Sequence, residues 1–332
     1  MKDGPNLTRT PPAKGGFRLG RRASRAIWLA TLLVPPALLF LTFVVYPMIS
    51  ALVYSLYEWR GISRLGFYGL ENFRTLLFDQ PWQAWTINAF WHNVVVFVTL
   101  MVVQNAVALV LALILGSNPR GSRFYQVVFF LPVTLALVLV GFQWKLFLNP
   151  MFGVVNKLLD ALSQGIERLV GLQVDLSQPW LGQESTALVA LILVNAWRWL
   201  GFPTIVFLAG IRSIPHEYFE AARLDGANEW QVARHVTWPL LAPAVTIIVI
   251  LTFIGSFNWF DLPYVMAGLD GPPGKSTDVL GLYFYRTAFG EVSGGLQNFG
   301  QGSALAVLMF LFILVVSVVW TRALRSREVE LQ

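Results

Sequence analysis

The stretch at residues 93–115 reads NVVVFVTLMVVQNAVALVLALIL and carries no charged side chain. Crossing about 30 Å of hydrocarbon takes about 20 apolar residues in an α-helix, so this run is long enough to span a membrane. The whole chain agrees with that reading, because 56% of its 332 residues are hydrophobic and only 13% are charged. A typical soluble domain carries about 25% charged residues. The composition therefore predicts an integral membrane protein.

Five further apolar runs are long enough to span a membrane, and two of them contain one charged residue each, Arg198 and Asp261. They occupy residues 26–57, 124–144, 186–211, 239–266 and 303–320. A basic segment precedes the first run, as in a signal peptide, but the run is too long and lacks a small-residue cleavage site. We therefore expect a retained anchor and predict an all-α integral membrane protein with six transmembrane helices.

The basic residues indicate how those helices are oriented. Fifteen of the 24 Lys and Arg residues fall on one side of the membrane if six helices alternate. They are Lys2, Arg9, Lys14, Arg18, Arg21, Arg22, Arg25, Arg120, Arg123, Arg212, Arg223, Arg234, Arg322, Arg325 and Arg327. Because cytoplasmic loops carry an excess of positive charge, both termini are predicted to be cytoplasmic.

The chain accordingly divides into four segments. We predict a disordered basic cytoplasmic N-terminus at residues 1–25, a first transmembrane helix at 26–57, a five-helix core at 88–322 and a cytoplasmic tail at 323–332. The core contains a charged cytoplasmic elbow at 213–238, between the fourth and fifth helices.

The opposite side of the membrane receives the loops at 57–92, 148–185 and 267–302. Within the second of them, MFGVVNKLLDALSQGIERLV at 151–170 places apolar residues along one helical stripe. A short amphipathic helix on the membrane surface or against a partner fits this pattern.

Residues that carry enzyme chemistry are missing from the pattern. The chain has no Cys, and its three His residues show no metal-ligand spacing. The segment GLDGPPGKST at 268–277 departs from a phosphate-binding loop, which requires Gly at position 269, where Leu269 stands. We predict no catalytic residue, no metal site, no cofactor bound by this chain and no nucleic-acid partner.

The elbow contains EYFEAARLDGANEW at 217–230, a helix-forming segment between two apolar runs. Ser213 is a candidate N-cap with Pro215 in the first turn, and Gly226 is placed to end the helix in a left-handed conformation. Asn228 followed by Gln231 resembles a capping box that starts a second helix. On periodicity alone, an ordinary cytoplasmic loop is the favoured interpretation of the segment.

The motif in this elbow resembles the EAA loop of ATP-binding cassette (ABC) importer permeases. The match consists of Glu220-Ala221-Ala222, Asp225-Gly226-Ala227, and then Val236 and Pro239, with Trp238 where Leu is usual. Segments at 67–77, 131–156, 197–215, 257–277 and 302–307 resemble the sugar-type branch, in particular the first permease of maltose- and glycerol-3-phosphate-type systems. The resemblance spans about residues 30–322.

That resemblance implies the MetI-like fold of type I importers and import of a carbohydrate, polyol or sugar-phosphate-like solute by alternating access. It also implies a second permease subunit, a dimer of ATPase subunits that binds ATP and Mg²⁺, and an extracytoplasmic solute-binding protein. The location implied is the cytoplasmic (inner) membrane of a bacterium or archaeon, and the chain itself would not be an enzyme. The residues that would couple it to the ATPase are Glu220, Ala221, Ala222, Asp225, Gly226, Ala227 and Pro239.

Polar residues inside the fourth and fifth helices are candidates for the solute pathway, because such residues are costly in a membrane. They are Asn195, Trp199, Thr204, Thr252, Ser256, Asn258 and Trp259. The spacing of Thr252, Ser256 and Trp259 would place them on one helix face. Hydroxyl, amide and indole groups suit a sugar, although the same groups also bond neighbouring helices or mark the interface.

Neighbouring residues and rival functions complete the expectations. Arg198 and Lys145 are candidates to extend towards the outer headgroups. Asp261 is a candidate to orient the following loop or meet the solute, and Pro203 and Pro263 are candidates to break their helices.

An ion-gradient-driven secondary transporter is the alternative function, and it would show inverted repeats and buried acidic residues. No repeat is evident, and Asp261 is the one candidate carboxylate.

Overall fold

Helices account for most of the described residues, which are 21–290 and 297–325 of this computed structural model. The chain divides into two units, Met1–Ser50 and Ala51–Gln332. Most of the predicted N-terminal segment and most of the predicted C-terminal tail lie outside the described residues. Their predicted disorder and cytoplasmic location stay predictions.

The elements follow one another along the chain with short connections. The helices are α1 (Arg21–Phe40), α2 (Tyr46–Tyr54), α3 (Glu71–Phe78), α4 (Trp82–Thr99), α5 (Asn105–Gly116), α6 (Ser122–Thr134), α7 (Leu137–Phe147), α8 (Val154–Val170), α9 (Glu184–Trp199), α10 (Gly201–Ser213), α11 (His216–Leu224), α12 (Glu229–Val232), α13 (Trp238–Leu240), α14 (Ala242–Phe257), α15 (Asp261–Met266), α16 (Leu280–Phe289) and α17 (Phe299–Arg325). The strands are β1 (Tyr57–Arg60) and β2 (Ser63–Phe67). Wider π-helical turns at Leu41–Val45, Leu100–Gln104 and Ala233–Thr237 join α1 to α2, α4 to α5 and α12 to α13.

Three of the candidate membrane spans are continuous helices and three are bent. The continuous ones are Trp28–Tyr54, Trp82–Gly116 and Phe299–Ala323. The bent pairs are α6 with α7 at 94°, α9 with α10 at 44°, and the α12–α13 segment with α14 at 68°. With each bent pair counted as one span, the described residues hold up to six by length and composition. Each of these spans overlaps one of the six predicted runs, and the side on which the termini lie stays a prediction.

The bend between α9 and α10 has a local cause. A Cβ atom on Gly201 would overlap the backbone of Phe129 and Phe130, so only glycine allows α6 to approach this closely. Pro203 adds to the bend because it has no N–H to donate to the carbonyl of Trp199, four residues earlier. The fourth membrane segment therefore changes direction at its centre.

The fifth membrane segment is shorter than the sequence predicts. Instead of continuing through residue 266, α14 ends at Phe257, and α15 begins only at Asp261. The amide of Asn93 donates to the Ser256 carbonyl at 2.6 Å and accepts from the Leu280 N–H at 2.8 Å, so it replaces helical hydrogen bonds at this break. The prediction that Trp259 lies on the helix face of Ser256 is therefore wrong, because Trp259 lies in the break.

A two-stranded hairpin was not predicted and is an exception to the all-α class. β1 and β2 pair antiparallel, with the rings of Tyr57 and Phe67 opposite each other at 5.7 Å. Gly61 has φ +61° in the turn, a conformation that favours glycine. Asn72 holds the hairpin against α3 by donating to the Tyr57 carbonyl at 2.9 Å.

Apolar side chains form three buried clusters between the helices. The first joins α7, α9 and α15, and the second joins α4, α14, α16 and α17. The third joins α5 and α10 to the start of α14. Aromatic rings dominate the second cluster, where Phe257 lies 4.8 Å from Phe253 and 5.0 Å from Phe312. These clusters fix α9, α10 and α14 around the site described below.

The loop between α15 and α16 is held by a buried ion pair. Arg286 donates to both carboxylate oxygens of Asp278, at 3.1 and 2.7 Å, and to the Leu269 carbonyl at 3.1 Å. Burial raises the pKa of Asp278, and the hydrogen bonds and charge of Arg286 oppose that rise. The segment at 268–277 thus belongs to a loop tied to α16.

Replacement of one partner of the Asp278–Arg286 pair tests how much this pair stabilises the protein. Asp278→Asn removes the carboxylate charge that pairs with the buried Arg286 guanidinium, so we expect a loss of about 3–5 kcal/mol of stability. Glu71→Gln is the matched control, since Glu71 pairs with Arg74 at 3.4 Å on the exposed surface and such pairs contribute about 0–1 kcal/mol. Thermal denaturation of the purified protein in detergent measures both, and equal melting temperatures for the two variants would contradict the assignment.

Candidate functional site

A cavity of about 420 Å³ lies among α9, α10 and α14, with the turn Leu100–Gln104 and the start of α15 completing its wall. Six of the seven predicted pathway residues line it. They are Asn195, Trp199, Thr252, Ser256, Asn258 and Trp259. The bend at Gly201 and the break after Phe257 bring these side chains together although they come from two separate membrane segments. Their contact with a solute stays a prediction.

The seventh predicted residue, Thr204, is placed elsewhere. Its side chain is fully buried, and its hydroxyl donates to the Leu200 carbonyl at 2.8 Å. Thr204 therefore satisfies its own helix and does not belong to the cavity wall.

Several polar atoms in the cavity wall are buried and have no hydrogen-bond partner within the described part of the chain. They include the Ser256 hydroxyl, the Trp259 indole N–H and the side-chain carbonyl of Gln104. These residues are 2%, 7% and 3% exposed, respectively. An unsatisfied buried polar group costs about 1–3 kcal/mol, so a bound molecule with hydroxyl groups would relieve that cost. The Ser256 hydroxyl can donate and accept, the Trp259 N–H can donate, and the Gln104 carbonyl can accept.

Gln104 and Asn105 were not predicted as site residues. The π-helical turn at Leu100–Gln104 brings Gln104 into the wall, and Asn105 donates to the Thr252 hydroxyl at 3.1 Å. Such turns are frequent at functional sites. The signal was present in the sequence, because two adjacent amides interrupt the apolar run at 93–115.

Two charged residues complete the wall. Arg198 lies over the Trp199 ring at 5.4 Å and donates to the Leu135 carbonyl at 3.5 Å, a long hydrogen bond. Asp261 also lines the cavity and is close enough to interact electrostatically with Arg198. The structure therefore places both Arg198 and Asp261 in the cavity wall.

The elbow forms two short helices, as predicted. Gly226 has φ +83°, and the N–H groups of Gly226 and Ala227 donate to the carbonyls of Arg223 and Ala222 at 3.1 and 3.0 Å. This left-handed ending closes α11. A capping box starts α12: the Asn228 side-chain oxygen accepts from the Gln231 N–H at 2.9 Å, and the Gln231 side-chain oxygen accepts from the Asn228 N–H at 2.8 Å.

The predicted start of the first elbow helix is wrong. Ser213 is the last residue of α10, and its hydroxyl donates to the Gly210 carbonyl at 2.7 Å. α11 begins at His216, directly after Pro215. The serine is occupied by the preceding helix and therefore cannot cap the next one.

The elbow carries large apolar side chains that are exposed on its surface. Leu224 is 88% exposed and Trp230 is 72% exposed, whereas Arg223 and Glu229 form an ion pair at 3.1 Å that ties α11 to α12. Of the predicted coupling residues, Ala222 and Ala227 are half-buried. The exposed ones are Glu220, Ala221, Asp225, Gly226 and Pro239. The coupling role of all seven stays a prediction.

Comparison with known proteins places this architecture among transport components. Residues 104–329 match the family model described as binding-protein-dependent transport system inner membrane component. The chain is 32% identical to the probable starch degradation products transport system permease protein AmyD of Thermoanaerobacterium thermosulfurigenes, over 92% of this chain and 96% of that protein. It is 30% identical to the sulfoquinovosyl glycerol transport system permease protein SmoG of Agrobacterium fabrum, over 90% of this chain and 91% of that protein.

A solved structure has the same fold. The structure is that of a bacterial ABC transporter involved in the import of the acidic polysaccharide alginate. It aligns with a TM-score of 0.75 and 22% identity, and the alignment covers 92% of this chain and 98% of that chain.

The capping box makes a measurable prediction for the elbow. Asn228→Ala removes the cap of α12, which is worth about 1 kcal/mol, so amide hydrogen exchange in residues 229–237 should quicken about fivefold. Ser213→Ala is the control, because that hydroxyl bonds its own helix. Exchange measured by mass spectrometry that changes equally in both variants would argue against the cap.

Proposed function

Because the chain belongs to the family of binding-protein-dependent transport system inner membrane components, we propose that it is the permease subunit of an ATP-driven carbohydrate importer. The family that the elbow motif predicted is confirmed by the match over residues 104–329. What we propose beyond the family is that the cargo is a carbohydrate, that ATP is the energy source and that the residues named above have the roles given below. The proposed location is the cytoplasmic membrane of a bacterium or archaeon, in keeping with a family of inner membrane components.

The observation that carries the cargo is the cavity of about 420 Å³ with its unsatisfied polar wall. Sugars present many hydroxyl groups and one apolar ring face, so they need hydrogen-bonding side chains beside an aromatic surface. Ser256 and Asn195 provide the hydrogen-bonding side chains, and Trp199 and Trp259 provide the aromatic surface. The names of the relatives, which refer to starch degradation products and sulfoquinovosyl glycerol, support the same class.

In the proposed assembly, this chain pairs with a second permease, and a dimer of ATPase subunits binds on the cytoplasmic side, where one ATPase subunit receives the elbow of this chain. An extracytoplasmic binding protein delivers the sugar. ATP hydrolysis belongs to the partner, so the chain is not an enzyme. The Arg223–Glu229 ion pair and the Gly226 turn make the elbow a compact body between α10 and α14. Movement of the ATPases would therefore tilt both helices, whose side chains line the cavity. No observation favours the ion-gradient alternative.

Identification of the cargo and the energy source tests the proposal directly. Titration of the cognate binding protein with a panel of mono-, di- and oligosaccharides, polyols and sugar phosphates should yield a ligand. Membrane vesicles should then accumulate that ligand when they contain ATP, even after ionophores have collapsed ion gradients. Uptake that needs a gradient and no ATP would support the secondary transporter.

The cavity wall predicts which hydroxyl matters for that uptake. Ser256→Ala should lower the initial rate at subsaturating sugar-loaded binding protein by about twofold to tenfold, since one hydrogen bond to the sugar is worth about 0.5–1.5 kcal/mol. Thr204→Val is the matched control, because its hydroxyl lies outside the cavity and bonds its own helix. Equal rates for the two variants at equal abundance would contradict a hydrogen bond between Ser256 and the sugar.

Coupling through the elbow predicts a separate defect. Glu220→Lys or Gly226→Pro should abolish uptake while membrane insertion stays normal, because the first reverses a surface charge and the second cannot adopt φ +83°. Glu71→Gln is the control on the opposite side of the membrane. Normal uptake by either elbow variant, at normal abundance, would contradict the proposed coupling role of the elbow.

A further inference from the structure

α8 carries a stripe of apolar side chains that the rest of the described structure leaves open. Val154, Leu158, Leu162 and Leu169 follow one another along a single face at helical spacing. They are 52%, 63%, 57% and 87% exposed, respectively. An exposed stripe of this length on a 17-residue helix requires a partner that covers it.

The polar flank of the same helix is already occupied by the returning chain at residues 173–178. Asn156 donates to the Gln178 carbonyl at 2.9 Å, Ser163 accepts from the Leu176 N–H at 3.3 Å, and Glu167 accepts from Gln173 at 2.8 Å. Asp160 accepts a hydrogen bond from the Ser177 hydroxyl. The return segment thus satisfies the polar side chains and leaves the apolar stripe facing away from the protein.

The position of α8 indicates what lies beside the stripe. The helix connects α7 and α9, which belong to two consecutive candidate membrane spans. Only residues 148–153 separate α7 from α8, so even a fully extended connection would reach about 20 Å. The turn is compact, since the Gly153 N–H donates to the Asn149 carbonyl at 2.9 Å. α8 therefore begins close to the end of a membrane helix, on the side opposite the elbow.

The residues that border the stripe match a lipid surface. Met151 and Phe152, in the turn before α8, are 90% and 55% exposed and extend the apolar surface towards α7. Lys157 and Arg168 are exposed and lie three helical turns apart on one edge of the stripe. Basic residues beside an apolar face bind lipid phosphates while their stems lie along the acyl boundary.

We infer that α8 is an interfacial helix that lies in the lipid surface opposite the elbow, with its stripe in the acyl boundary and Lys157 and Arg168 at lipid phosphates. The helix also positions α9, because Asn156 accepts from the Trp180 indole at 2.8 Å and Trp180 packs against the cluster that contains α9. Anchored in this way, α8 fixes the depth in the membrane of the helix that carries Asn195 and Trp199. The inference is independent of the solute and of the energy source.

The absence of Cys from the chain allows a clean test with single thiol probes. Leu158→Cys and, as a second site, Leu162→Cys place a fluorophore on the stripe, and Gln164→Cys places it on the exposed polar edge of the same helix. The full-length chain is reconstituted in nanodiscs of phosphatidylcholine and phosphatidylglycerol, with and without brominated acyl chains. Bromine quenches only probes that reach the acyl region.

On the stripe, bromolipid should lower the fluorescence at least about twofold more than at Gln164, and aqueous iodide should show the reverse order. A Lys157→Gln/Arg168→Gln double variant should weaken the bromolipid effect at Leu158 in discs that contain phosphatidylglycerol. Equal iodide access at Leu158 and Gln164 would overturn the inference. So would stripe probes that bromolipid does not quench and that become protected only when the second permease or the binding protein is added, since the stripe would then be a protein interface.

Discussion

Hydrocarbon offers no hydrogen-bond partner, so every backbone group at membrane depth must find its partner inside the protein. The side chain of Asn93 meets this constraint at the most demanding point of the fold. It bonds the Ser256 carbonyl and the Leu280 N–H at the place where the fifth membrane segment breaks. The break frees Asn258 and Trp259 from a helix and turns them towards the cavity. Without this amide, the broken segment would leave backbone groups unpaired in an apolar environment.

The cavity is where the same constraint is left unmet. Ser256, Trp259 and Gln104 keep buried polar atoms without partners among the described residues, whereas the Ser256 carbonyl is paired with Asn93. Such groups are rare in folded proteins, and each calls for an explanation, of which a bound polar molecule is one. The proposal of a carbohydrate pathway follows from this contrast between a satisfied scaffold and an unsatisfied wall.

Much of the fold could be predicted from the sequence, because length and hydropathy alone define a membrane span. The six apolar runs, the left-handed ending at Gly226 and the capping box at Asn228 were visible as local patterns. The break in the fifth segment depends on a distant contact, because the Asn93 side chain bonds the Ser256 carbonyl just before Trp259 leaves the helix. For Gln104, the two adjacent amides were a signal in the sequence, but the π-helical turn that brings Gln104 into the wall was not visible. Ser213 was misassigned because a serine at a helix boundary can bond either neighbour. The hairpin at 57–67 depends on cross-strand aromatic packing that no helical pattern reveals.

The central claim is that the cavity among α9, α10 and α14 is the passage through which the solute crosses, open to each side in turn. Because the chain has no Cys, Asn195→Cys provides a single thiol in the cavity wall. Its labelling by a membrane-impermeant thiol reagent, applied from each side of the assembled transporter, is the most direct measurement. The account predicts labelling from the cytoplasmic side without ATP and from the outer side when hydrolysis is trapped by vanadate with loaded binding protein. Labelling from the same side in both states, or from neither, would contradict it.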